Sequence, residues 1–188
     1  MPTSDFILWI DLETTGNGPD DDIIELGAVL TDKDYVIQSS FARVYRTRRA
    51  VSVISPKVLE MHFANGLWRD TIEATSYAAD SEDEILAWLG KAGALKGGAN
   101  SLPLAGSGTS HFDRRYIERD WPSLARRLTY WNLDIGVVRR FLRSWLPEEV
   151  QSYVIDSQAG KHHRALADVM QHLQEAIEYR TLMRNLGG

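Results

Sequence analysis

The segment Phe6-Ile7-Leu8-Trp9-Ile10-Asp11-Leu12-Glu13-Thr14 constrains this chain most, because it sets two carboxylates within an otherwise apolar run. Residues two apart on a strand point to the same side, so Asp11 and Glu13 share one face of a mostly buried strand. Like charges at the end of such a strand repel each other and lose solvation. Hard divalent cations, which favour oxygen ligands, compensate both penalties, so the pattern points to a metal site. The competing reading has Asp11 starting a turn and Glu13 facing water.

Two further runs follow. Ile23 to Leu30 is apolar and lies beyond Gly16-Asn17-Gly18-Pro19 and an acidic stretch, and Tyr35 to Tyr45 is rich in β-branched and aromatic residues. Together the three runs predict an N-terminal, three-stranded antiparallel meander. Ser55-Pro56 predicts a helix start, with Ser as N-cap and Pro at the first helical position. Ser81-Glu82-Asp83-Glu84 has the spacing of a capping box opening a second helix. Leu102 to Gly106 reads as a short buried strand that delivers residues 107–113 to the sheet edge. From Asp113 onward the pattern is mainly helical, interrupted at Pro122, at a strand-like Tyr130 to Leu133 and at Pro147, with a last helix over 163–183. The expected order is β-β-β-α-α-β-α-α-β-α-α, an α/β layered domain with a mixed sheet. At 188 residues the chain fits one compact domain over 1–188, which would bury roughly 70% of its unfolded surface.

Composition removes several function classes. No apolar run approaches the roughly 20 residues a membrane span needs, and the N-terminus has no signal-like segment. The absence of cysteine excludes disulfides and thiolate-ligated metals, fits a cytoplasmic location, and leaves oxygen or imidazole as metal ligands. A net charge of −5 argues against coating long nucleic-acid duplexes. Of the 21 cationic residues 16 are Arg, many in pairs, which suits either bidentate phosphate contacts or solvated faces carrying ion pairs.

Two later segments carry chemistry. Asp113 follows the presumptive strand at a helix start, where an acid also serves as a cap. His163-Arg164-Ala165-Leu166-Ala167-Asp168 sets an acid one turn into a helix and a histidine at its entrance. Five residues do not stack on one helical face, so the histidine approaches from the loop while Asp168 reaches inward from the helix.

Taken in order, Asp-x-Glu, then Asp, then His-x4-Asp resembles the DEDDh, or DnaQ-like, 3′→5′ exonuclease superfamily, which includes proofreading subunits, RNase T and oligoribonuclease. The resemblance covers most of the chain and implies a ribonuclease H-like mixed sheet flanked by helices. It further implies two Mg²⁺ or Mn²⁺ ions held by Asp11, Glu13, Asp113 and Asp168, with His163 as the general base and nucleoside 5′-monophosphates as products. His162 would leave five intervening residues where the family has four, so spacing selects His163. In such enzymes the backbone around Leu12 and Thr14 faces the terminal ribose. His62 resembles a histidine near the substrate in the oligoribonuclease branch, although a position late in a helix equally suits a contact with the macrodipole.

The sequence from Asp113 to Asp134 resembles oligoribonuclease most, which implies short single-stranded substrates, RNA favoured over DNA, and allows a homodimer. Branch-specific positions differ. Thr14 and Asn17 replace Met and Leu of the usual first motif, Lys57 stands at a stacking tryptophan, and Trp131 and Ile135-Gly136-Val137 replace groups suited to a 5′-phosphate. Ser107-Gly108-Thr109 stands for Gly-Asn-Ser, leaving the Thr109 hydroxyl as a candidate substrate contact, and Tyr130 and Trp131 offer stacking surfaces or core. Two other readings stay open: a DNA proofreading or end-trimming exonuclease, and a catalytically silent nucleic-acid-binding module.

Overall fold

The computed structural model describes residues 4–151 and 162–186. Strands β1 (Phe6–Thr14), β2 (Ile23–Asp32) and β3 (Ile37–Val44) pair antiparallel in sequence, forming the expected meander. Helices α1 (Pro56–Ala64), α2 (Leu67–Glu73) and α3 (Glu82–Lys91) lead to β4 (Leu102–Gly106), which returns parallel to β1. Helices α4 (Asp113–Asp120) and α5 (Pro122–Ala125) then lead to β5 (Leu128–Asp134), parallel to β4. Helices α6 (Ile135–Trp145), α7 (Glu148–Gln151) and α8 (Ala165–Leu186) complete the described chain. The result is a mixed five-stranded sheet in the order β3-β2-β1-β4-β5. No helix among the described residues is long and apolar enough to cross a membrane.

Period-two alternation along β1 sorts its side chains between two layers. Leu8, Ile10 and Leu12 pack on one face with Ile85 and Leu89 of α3, Ile117 of α4 and Leu124 of α5. Trp9 turns to the other face, where Val169, Leu173 and Ala176 of α8 and Ile135 and Leu142 of α6 cover it. Each such fully buried aliphatic side chain contributes about 1.5–3 kcal/mol relative to leaving it exposed. By the same parity Asp11 and Glu13 point to the α8 face. Gly106 makes the neighbouring strand fit, since a Cβ there would lie 2.5 Å from the Ile10 carbonyl oxygen.

Polar contacts fix the helices. Between α6 and α8 the buried Arg139 donates to Glu175 through Nε at 2.5 Å and Nη2 at 2.6 Å, and the Tyr179 hydroxyl donates to the same carboxylate. Asp134 caps α6 by accepting from Val137 N at 3.2 Å, and also accepts from Gly108 N at 3.1 Å and Ser110 Oγ at 2.7 Å. One carboxylate thus ties a helix start to the loop after β4. Burial alone would raise the Asp134 carboxyl, but these hydrogen bonds outweigh it and hold it below its ordinary value. Asp134→Ala is expected to cost about 2 kcal/mol, a cap plus charge-assisted bonds. Because the folded-state value is depressed, the charge-dependent part of this contribution is full above the ordinary carboxyl pKa of about 3.9 and lost as pH falls through the lower one. The gap between the thermal melts of the two proteins should therefore narrow in acid.

Two local readings of the sequence are corrected. The Ser81 hydroxyl does not cap α3; it donates to the Ala78 carbonyl at 2.7 Å and accepts from the Tyr45 hydroxyl at 3.0 Å. Glu82 likewise turns outward from its own helix, accepting from Leu124 N at 3.0 Å and from Ser123 N at the start of α5. Tertiary partners outcompete the local box. Helix α2 was not expected from its pattern; it starts because Gly66 adopts φ +79° and Asn65 Oδ1 accepts from Leu67 N at 3.0 Å.

Candidate active site

The cross-strand register places Asp11 opposite Gly27 and Glu13 opposite Glu25. Directly opposed residues share a face, so all four lie beneath the start of α8. Gly27 has to be glycine here: a Cβ would sit 2.2 Å from the Ala165 carbonyl carbon and 2.3 Å from Leu166 N. The helix start rests on the sheet beside the two β1 carboxylates. From α8, Asp168 points inward and is completely buried.

Asp113 arrives from the other side, as the first residue of α4. Its Oδ1 accepts from Leu12 N at 3.2 Å, so it bridges to β1. Asp11, Glu13, Asp113 and His163 all line one cleft of about 330 Å³, with Leu12, Thr14, Met61 and Phe112 among its other walls. Asp168 does not border the cleft itself. Ligand atoms of Glu13, His163 and Asp168 nevertheless lie within 4.8 Å of one another, a group able to hold a metal ion. The two carboxylates of this group suit a hard divalent cation, and the imidazole stands beside them.

Two further histidines stand behind the carboxylates. His62, buried in the last turn of α1, donates from Nε2 to the Thr14 carbonyl at 3.1 Å and lies 3.9 Å from Glu13 Oε2. Burial pushes its imidazole below the ordinary value, against the opposing effect of the Thr14 bond. It thus buttresses the end of β1 rather than meeting the helix dipole alone. His172, wholly buried on α8, lies 3.9 Å from Asp11 Oδ1. Its spacing of four from Asp168 is the helical signal that could have disclosed it.

Other expected contacts are placed differently. Thr109 is fully buried and does not line the cleft, its Cγ2 packing where a Gly106 side chain would stand. Ser107, Gly108 and His111 from the same loop line it instead. Tyr130 and Trp131 are exposed on β5 and take no part in the cleft. Gly27, Glu25 and Asn65 had no signal in the sequence, because their partners around residues 162–166 are distant in the chain.

The RNase T exonuclease family matches residues 8–176. The chain belongs to this exonuclease family. Its sheet and helices have the ribonuclease H-like arrangement, and it is a 3′→5′ exonuclease. It is similar to the oligoribonuclease of Nocardia farcinica, 30% identical over 93% of this chain and 79% of that one. The oligoribonuclease of Xanthomonas oryzae pv. oryzae is 29% identical over 98% of this chain and 92% of that one. Among solved structures, the zinc-bound E. coli exonuclease I complex with single-stranded DNA superposes with a TM-score of 0.68 at 17% identity, over 98% of this chain. Exonuclease I from Methylocaldum szegediense gives 0.67 at 19% identity over 94% of this chain. This exonuclease-family chain spans 42% and 40% of those two proteins, and the likeness concerns the fold.

Proposed function

We propose that this exonuclease releases nucleoside 5′-monophosphates from the 3′ ends of short single-stranded RNA. Asp11, Glu13, Asp113 and Asp168 would hold two divalent cations, Mg²⁺ or Mn²⁺, and His163 would act as general base. The observation that carries this reading is the convergence of Glu13, His163 and Asp168 within 4.8 Å, next to a cleft lined by Asp11 and Asp113. When bound, such ions stabilise charge on the phosphate and on the departing oxygen. His163 takes the proton from the attacking water from its loop-side position. His62 keeps the Thr14 carbonyl engaged and so holds the β1 end in place. A cleft of about 330 Å³ is at the small end for ligand sites, which favours one terminal nucleotide over an internal stretch of strand. The relatives named oligoribonuclease support RNA and short length.

The test is a matched series of 5′-labelled RNA and DNA oligonucleotides, about two to twenty nucleotides long, with purified protein and Mn²⁺. Stepwise shortening from the 3′ end is expected, faster on RNA, stopped by EDTA, and slowed about 10²-fold or more by His163→Ala. Faster DNA cleavage would replace this substrate assignment with end-trimming of DNA. Binding without any mononucleotide release would make the domain a silent binding module.

A further inference from the structure

His163 has φ +49°, a left-handed conformation that a side-chain-bearing residue keeps only where its surroundings impose it. Those surroundings are specific. The Asn65 side-chain amide donates from Nδ2 to the His163 carbonyl at 2.5 Å and to the His162 carbonyl at 3.2 Å. Its orientation is fixed from the other end, since Oδ1 accepts from Leu67 N at 3.0 Å. On the helix side Glu25, almost fully buried, accepts from Ala165 N at 2.9 Å and from Arg164 through Nη2 at 3.0 Å and Nε at 3.1 Å. Arg164 is held again by Asp70 Oδ2 at 3.1 Å. The residues on both sides of the His163 peptide are thereby pinned to α1–α2 and to β2.

We propose that Asn65 and Glu25 are positioning residues for His163, holding its backbone in the left-handed conformation that brings the imidazole to Glu13 and Asp168. Asn65 grips the two carbonyls that precede the turn, and Glu25 grips the first amide and the guanidinium that follow it. Neither lines the cleft. The inference rests on His163 being the general base, and it deepens that reading by naming what aims it. A histidine on an unclamped loop would spread over several orientations, and misplacement by about 1 Å can cost 10²-fold in rate.

Asn65→Asp separates this role from helix capping. The carboxylate still accepts from Leu67 N, while both N–H donors are lost and a charge faces the carbonyls. In the 188-residue chain with Mn²⁺ and a short RNA, kcat is expected to fall about 10- to 100-fold, with KM within about twofold. Manganese binding, read by calorimetry, should stay within about threefold, since no proposed metal ligand changes. The deciding measurement is a double-mutant cycle, in which Asn65→Asp added to His163→Ala costs nothing further. Asn65→Ser, whose hydroxyl can accept from Leu67 N but cannot span to the carbonyls, carries the same cycle should the first variant not fold. Glu25→Gln, which keeps an acceptor for Ala165 N but loses the charge facing Arg164, should show the same dependence on His163. Unchanged kcat in Asn65→Asp, or an equal penalty with and without the imidazole, would overturn the positioning role alone. Full activity in His163→Ala would overturn the general-base reading and this inference with it.

Discussion

Replacing Asp168 with Asn is expected to lower kcat by about three orders of magnitude, the several kcal/mol a catalytic metal contributes. The side chain is completely buried at the start of α8 and shares its cluster with Glu13 and His163. Asn has nearly the same shape, so the fold is retained while the negative charge of a proposed metal ligand is lost. The second readout is thermal. A ligand present at 100 times its Kd stabilises a protein by about 2.7 kcal/mol, which for a chain of this size raises Tm by about 5–10 °C. Manganese should produce that rise in the wild-type protein and about 2 °C or less in Asp168→Asn, measured by melts with and without the ion. Wild-type turnover or an undiminished manganese shift in the variant would remove Asp168 from the metal-binding set.

The second large effect is expected from the smallest substitution. Gly27→Ala introduces one methyl group 2.2 Å from the Ala165 carbonyl carbon and 2.5 Å from its oxygen. Nothing flexible is available to yield, because both sides of the contact are backbone: a central strand and the first turn of α8. Overpacking costs about 1–3 kcal/mol where side chains can adjust, and here the cost should reach about 3 kcal/mol, lowering Tm by about 6–12 °C. The methyl group lies opposite Asp11 in the register, so relief by lifting α8 displaces Asp168 and His163 as well. Turnover should therefore fall further than stability explains, as measured at a temperature where the variant remains fully folded. A variant with normal melting and normal kcat would show that the helix start shifts freely over the sheet.

How far the sequence disclosed this molecule depends on the range of the interaction involved. The meander was legible because Phe6–Thr14, Ile23–Asp32 and Ile37–Val44 carry the composition of strands and are separated by turn residues. Asp11 and Glu13 could be assigned to one face from alternation alone, and the structure places both beneath α8. The His-x4-Asp spacing correctly put the imidazole on the loop side and the acid on the helix, although their meeting at Glu13 required the whole fold. What remained hidden depends on contacts across the chain. Asn65 reads as an ordinary helix-ending residue, Glu25 as a charge in a strand, and Gly27 as a weakness in it. Each acquires its role only when residues 162–166 arrive more than 90 positions later. The capping box at Ser81 failed for the converse reason, since its Ser turned to Tyr45 and the Ala78 carbonyl and its acid, Glu84, to Arg43.

The arginines carry a consequence of their own. Arg115 donates to the Asn17 carbonyl at 2.6 Å, Arg119 to those of Pro19 and Asp21 at 2.6 and 2.8 Å, and Arg114 to the Thr129 carbonyl and the Asn132 side chain. These guanidinium groups serve as struts, tying α4 to the loop beyond β1 and to β5, with Arg139 and Arg164 doing the same for α6 and α8. A chain that looked rich in anion-binding side chains has turned much of that capacity inward, toward its own carbonyls and carboxylates. Under the proposed function, the hold on a polyanion would rest on a few groups gathered around one cleft, an arrangement suited to one end of a strand rather than to its length.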